Sequence, residues 1–198
     1  NDSNCDPNVV VVDLNAVDLN EIKARVKLGT LKSNTHLSVD DKTVQDMAKL
    51  QIESIGTGTA IQASTVGADN SKPTLTGFSL NMDGAPQLSL TFSETVKANT
   101  FVANTMKIMK ASPANTANAV SITNGGTATT VDGTVIVLTL AAEDANNIKA
   151  DVTLGTTTSN TFLLVTSGTI KDMADNVLDA ETTAKAATAV VVDNTAPT

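Results

Sequence analysis

Residues 147–174 read NIKADVTLGTTTSNTFLLVTSGTIKDMA, and residues 21–48 have already read EIKARVKLGTLKSNTHLSVDDKTVQDMA. Aligned without a gap, 16 of the 28 positions are identical at a constant offset of 126. A self-match at a fixed long period is the signature of repeated units. A period of 126 is too long for a helical solenoid turn and suits one β-sandwich domain. The chain therefore reads as one and a half units. Residues 1–73 are the second half of a repeat and 74–198 a complete one.

The flanks of the match extend the same reading. Val9–Leu14 aligns with Val135–Leu140, and the alternation places Val10, Val12 and Leu14, with Ile136, Leu138 and Leu140, toward a core. A short helical turn follows in each copy, VDLNEIKA at 17–24 and EDANNIKA at 143–150. The next strand should turn Leu37 and Val39, like Leu163 and Val165, inward. His36, Ser38, Phe162 and Leu164 should point outward. Asp69-Asn70-Ser71-Lys72-Pro73 is echoed by Asp193-Asn194-Thr195-Ala196-Pro197; both read as junctions, since Pro cannot donate to a ladder.

From Thr74 the chain supplies strands that the first copy lacks. Phe78, Leu80 and Met82 alternate with Ser79 and Asn81, and Leu88, Leu90 and Phe92 alternate with Ser89 and Thr91. Met106 and Ile108 mark a third strand, and Val120 and Ile122 a fourth before the Asn124-Gly125-Gly126 turn. Short alternating strands with regular turn signals predict an all-β fold, an antiparallel β-sandwich with a short helix in each repeat.

Composition narrows the function. The formal net charge is −8, and the chain has no Trp or Tyr and four Phe. Nucleic-acid affinity rests on clustered Lys and Arg and on aromatic stacking, so that partner is disfavoured. No run approaches the roughly 20 apolar residues that span a bilayer. The first residues read as the interior of a repeat and not as a leader. Cys5 is the single cysteine, so no internal disulfide forms; it reads as a small apolar residue at a strand end, with an intermolecular disulfide as the alternative. Asn1-Asp2-Ser3 is the sole N-glycosylation sequon.

Four motifs carry a resemblance: FSLNMD (78–83), LSLTFSETV (Leu88 to Val96), TIKDMADN (Thr169 to Asn176) and DNTAPT (Asp193 to Thr198). They resemble the Ig-like tandem repeats of microbial surface proteins, of the bacterial S-layer and large-adhesin types, with similar repeats in secreted proteins of algae and other protists. The resemblance implies Ig-like sandwiches used as spacer, adhesive or fibre-forming modules, extracellular or at the cell surface, without catalysis. It also implies calcium at acidic loops and junctions in some members. The first copy departs from the pattern, with Lys49-Leu50 in place of Asp175-Asn176.

The chemistry that the residues offer is sparse. His36 is the only histidine and faces Phe162 in the other copy, which argues against a general base. No second His or Cys is present for a zinc site. Carboxylates are the remaining signal: Asp172, Asp175, Asn176 and Asp179 crowd one loop, and Asp69, Asn70 and Asp193 mark the junctions. Calcium takes about 6 to 8 oxygen ligands, which such loops could supply. The competing reading, solvated turn formers, is the commoner role of Asp and Asn and is preferred. If a metal binds, it lies at the Asp172–Asp175 loop or an Asp-Asn junction, and the matching loop with Lys49 is empty.

Two classes of function remain. The first is a structural or adhesive repeat that self-associates head to tail. The half repeat leaves an apolar face open, which either a neighbouring molecule or chain preceding Asn1 completes. The second is a module that binds carbohydrate or protein through sandwich loops.

Overall fold

The computed structural model describes residues 8–112 and 119–196. Cys5, the Asn1-Asp2-Ser3 sequon, Pro197 and Thr198 lie outside the described residues. The fold is mostly β, with antiparallel and mixed sheets.

The first segment holds helix α1 (Ala16–Ala24) and the two short strands β1 (His36–Leu37) and β2 (Ile61–Gln62), which pair antiparallel. Asn15 caps α1, its side chain accepting from the Asp18 N–H at 2.9 Å. Beyond Thr74 come β3 (Leu75–Asn81), β4 (Gln87–Val96), β5 (Met106–Met109), β6 (Val120–Ser121), β7 (Gly126–Ala128) and β8 (Gly133–Leu140). Helix α2 (Ala142–Lys149) follows, then β9 (Phe162–Val165), β10 (Lys185–Ala186) and β11 (Ala189–Val191).

Two sheets result, ordered β10-β9-β5-β6 and β11-β3-β4-β8-β7. Their apolar faces share one core containing Phe78, Leu80, Leu88, Leu90, Phe92, Met106, Ile108, Ile136, Leu138, Leu140, Leu163 and Val165. The alternation read from the sequence therefore has the right phase throughout 74–196. Phe162 and Leu164, on the opposite parity, are half-buried. Gly126 is obligatory at its turn: at φ +134°, an added Cβ would lie 1.8 Å from the Thr139 carbonyl oxygen.

One pairing departs from the antiparallel expectation. β11 runs parallel to β3, with Val190 opposite Leu80. Only residues 187 and 188 separate β10 from β11, and they bridge the sheets: Ala187 N–H donates to Thr161 O, and Thr188 N–H to Phe78 O. The chain crosses from one sheet to the other without reversing, so it enters beside β3 in the same direction.

The first segment corrects the reading more sharply. Among the described residues, every buried hydrophobic one lies between Leu75 and Ala187, and no residue of 8–72 is buried. Val10, Val12 and Leu14, expected in a core-facing strand, are exposed and belong to no strand. Leu37 is exposed and Val39 half-buried where both were expected inside. The physical reason is a lack of neighbours. In residues 74–196 the corresponding β8 lies between β4 and β7, and residues 8–14 have no such strands beside them to bond or cover them.

Candidate functional site

The most organised polar cluster joins the first segment to the unit that follows it. The pairing of β4 with β8 shifts register between Thr91 and Val96, where it resumes opposite Gly133. Its end is also held by a bridge from Val96 to Asp172 and by the Lys97 N–H, which donates to Lys171 O. This carries Glu94, only 7% exposed, to the fully buried Asp172. Asp172 organises its own loop, its Oδ1 accepting from the Ala174 and Asn176 N–H groups at 2.9 and 2.8 Å. Asp175 takes the left-handed conformation there, at φ 70°.

Asp69, from the junction, completes the cluster. One carboxylate oxygen from each of Asp69, Glu94 and Asp172 lies within 4.8 Å of the other two. Lys23, in the last turn of α1, reaches this cluster: Nζ donates to Glu94 Oε2 at 2.5 Å and lies 2.8 Å from Asp69 Oδ2. One turn earlier, Asn20 Oδ1 accepts from the Thr95 N–H at 3.0 Å while Thr95 Oγ1 donates to Asn20 O at 3.1 Å. Asn176 clasps the junction from the other side, its Nδ2 donating to Asp69 O and Ser71 O, each at 3.0 Å, and to Asp172 Oδ2 at 2.8 Å.

The electrostatics follow from one ammonium held between two carboxylates, with the third, Asp172, close by. Burial pushes Glu94 above the usual carboxylate range, and the charges of Asp69 and Asp172 add to this against the opposing Lys23. Burial alone would lower Lys23, but its hydrogen bonds to Asp69 and Glu94 carry it above 10.5. Burial likewise works against the Asp69 anion, yet the bonds from Lys23 and from the Ser71 N–H hold its pKa below 3.8.

The expected metal-site residues divide. Asp69, Asp172 and Asn176 do converge. Asp175 pairs with Lys97 at 2.6 Å, Asp179 with Lys72 at 2.8 Å and Asp193 with Lys149 at 2.7 Å. Asn70 donates to Ala68 O. In the matching loop of the first copy, Lys49 sits at φ 65° where Asp175 sits, and Asp46 Oδ1 accepts from the Leu50 N–H at 2.8 Å.

Sequence reasoning missed Glu94 and Lys23. Both signals were present: a lone acid in the uncharged strand LSLTFSETV, and a lysine identical in both copies of the helix. Glu94, Asp69 and Asp172 are carboxylate donors of the kind calcium takes. The fourth member of the cluster is an ammonium already bonded to two of them, so the arrangement fits a cationic side chain as its occupant.

A groove of about 930 Å³ opens beside the cluster, between the end of α1, the junction and the following unit. Among the described residues, no helix is long and apolar enough to cross a membrane. Comparison with family models, with curated proteins and with solved structures yields no match.

Proposed function

We propose that this chain is a structural or adhesive part of an extracellular or cell-surface protein, built of Ig-like β-sandwich repeats arranged head to tail and without catalytic activity. The observation that carries the reading is the clasp in which Asn20 and Lys23 of one repeat hold Thr95 and Glu94 of the next, while Asn176 of the next holds the junction at Asp69 and Ser71. Side-chain and backbone bonds on both faces of the junction restrain its bending, as a spacer or filament requires. Electron microscopy of the native material tests this. Rods or filaments of regular axial spacing are expected, and compact monomers would overturn the reading.

The exposed apolar residues of 8–72 belong with the same proposal. Strands equivalent to β3–β5 would cover Val10, Leu14, Leu37 and Ile61, supplied by a neighbouring molecule or by chain preceding Asn1. The intact mass of the native polypeptide separates those sources.

The groove at the junction favours a second reading, a module that binds carbohydrate or protein. Sugar sites commonly use exposed aromatic rings, and the chain has no Trp or Tyr. Binding on a glycan array would promote this reading over the first. Calcium as a stabiliser remains tied to the same cluster, where it would have to displace the Lys23 ammonium. With a net charge of −8, nucleic acid is not among the proposed partners.

A further inference from the structure

The clasp has a second, open half at the other end of the chain. Asn20 and Lys23 of α1 recur as Asn146 and Lys149 of α2, and Asp69 recurs as Asp193. α2 buries its Asp144, Ala145 and Ile148 face against its own unit, which leaves Asn146 exposed on the other side. Lys149 pairs with Asp193 at 2.7 Å, as Lys23 pairs with Asp69 at 2.8 Å. The two junctions also share a turn: Ser71 N–H donates to Asp69 Oδ1 at 3.0 Å, and Thr195 N–H to Asp193 Oδ1 at 3.1 Å.

The grooves match in the same way. Lys23, Leu28, Gly29 and Asp69 line the large groove, and their counterparts Lys149, Leu154, Gly155 and Asp193 line a smaller one of about 220 Å³. What the smaller groove lacks is the opposite wall, which Lys97, Asp132 and Asn176 of the following unit provide in the larger. Lys149 accordingly has one carboxylate partner where Lys23 has two, and its side chain is 35% exposed against 18%.

We infer that the face formed by Asn146, Lys149 and Asp193 is a docking surface for a further copy of the unit 74–198, whose Glu94 and Thr95 it receives. The charge is complementary: the incoming edge carries the Glu94 and Asp172 carboxyl groups, and Lys149 is the exposed cation facing it. A copy whose own α1 is docked cannot serve, because Lys23 already fills its acidic edge. The occupant is therefore a unit that follows in series. The inference rests on the head-to-tail reading above and names the side chains that continue it.

Thr198 corresponds to Thr74 at the junction offset of 124, so residues 75–198 joined after Thr198 keep the linker length. Zero-length carbodiimide coupling of that extended chain, read by peptide mass spectrometry, tests the proposal. The expected products are Lys23–Glu94 within the original chain and Lys149–Glu94 of the added copy, in comparable yield. Lys23–Glu94 without Lys149–Glu94 would overturn the inference and leave the functional reading standing. Loss of both would defeat the clasp itself. Amide exchange across β4 of the added copy checks that it has folded, and Lys149→Glu paired with Glu94→Lys in the added copy should restore protection at 146–150 that Lys149→Glu alone removes. Failure of the charge swap to restore it would count against the proposal equally.

Discussion

Residues 21–48 and 147–174 share 16 of 28 residues and several local hydrogen bonds, yet have opposite surroundings. Gly29 and Gly155 adopt φ of 70° and 72°, and Lys49 and Asp175 adopt 65° and 70°. Asn34 and Asn160 close the same box, accepting from the N–H of Leu31 and of Thr157. Thr35 O accepts from Ala63 N–H, and Thr161 O from Ala187 N–H. Burial separates the pair: Leu163 is 0% exposed and Leu37 63%. Local structure here is written by turn and capping chemistry, which acts within a few residues. Burial depends on strands far away in the chain, and only the second copy has them.

The buried acid of the helix teaches the same point. Asp144 is fully buried, accepting from the Thr123 and Asn124 N–H groups at 3.0 Å each. Its counterpart Asp18 is exposed and bonds only to Asn15 at the start of its own helix. The sequence of α1 is prepared for a loop that the first segment does not contain.

The largest expected difference lies at the shared leucine. Leu163→Ala should cost about 2–5 kcal/mol of unfolding free energy, as should Leu138→Ala, because each empties a closed core. Leu37→Ala should stay within about 0.5 kcal/mol. Urea denaturation measures both, and a matching loss at Leu37 would mean that its face is covered in solution.

Next in size is the pair of lysines. Lys23→Ala removes charge-assisted bonds worth about 1–3 kcal/mol and should free α1 for rapid amide exchange. Lys149→Ala breaks a half-exposed pair worth less than about 1 kcal/mol and should change little in the chain by itself. Equal effects would erase the distinction between a closed clasp and an open one.

The pH dependence sharpens this further. Lys23 has a folded pKa above its unfolded 10.5, so its contribution is complete below 10.5 and is lost as pH rises through the raised value. Asp69, lowered in the fold, contributes above 3.8 and loses that as pH falls through its folded value. Glu94, raised, favours the folded state most below 4.5 and loses that advantage as pH rises through its elevated value. The clasp should therefore hold through neutral pH and release above about 10.5, read as faster exchange in α1 while the core of 74–196 stays protected.

The smallest effect concerns calcium. Millimolar calcium should leave the melting temperature of the parent chain unchanged while raising that of Lys23→Ala, whose three carboxylates have lost their ammonium. A rise in the parent would return the cluster to the metal reading.

The sequence by itself determined the internal match between 21–48 and 147–174, the alternation that forms the core of 74–196 and the two short helices, because each depends on residue type over a short span. It named Asp69, Asp172 and Asn176 among seven possible calcium ligands while preferring the reading of solvated turn formers. Tertiary structure alone decided that Glu94 and Lys23 join them, since the end of β4 must bridge to the Asp172 loop and α1 must lie against β4 before those charges meet. It alone decided that Val10, Val12 and Leu14 belong to no strand, because a strand needs hydrogen-bonded neighbours; that the apolar face of the half repeat lies open was already legible. The parallel entry of β11 beside β3 was settled the same way, by where a chain leaving one sheet finds free hydrogen-bonding groups in the other.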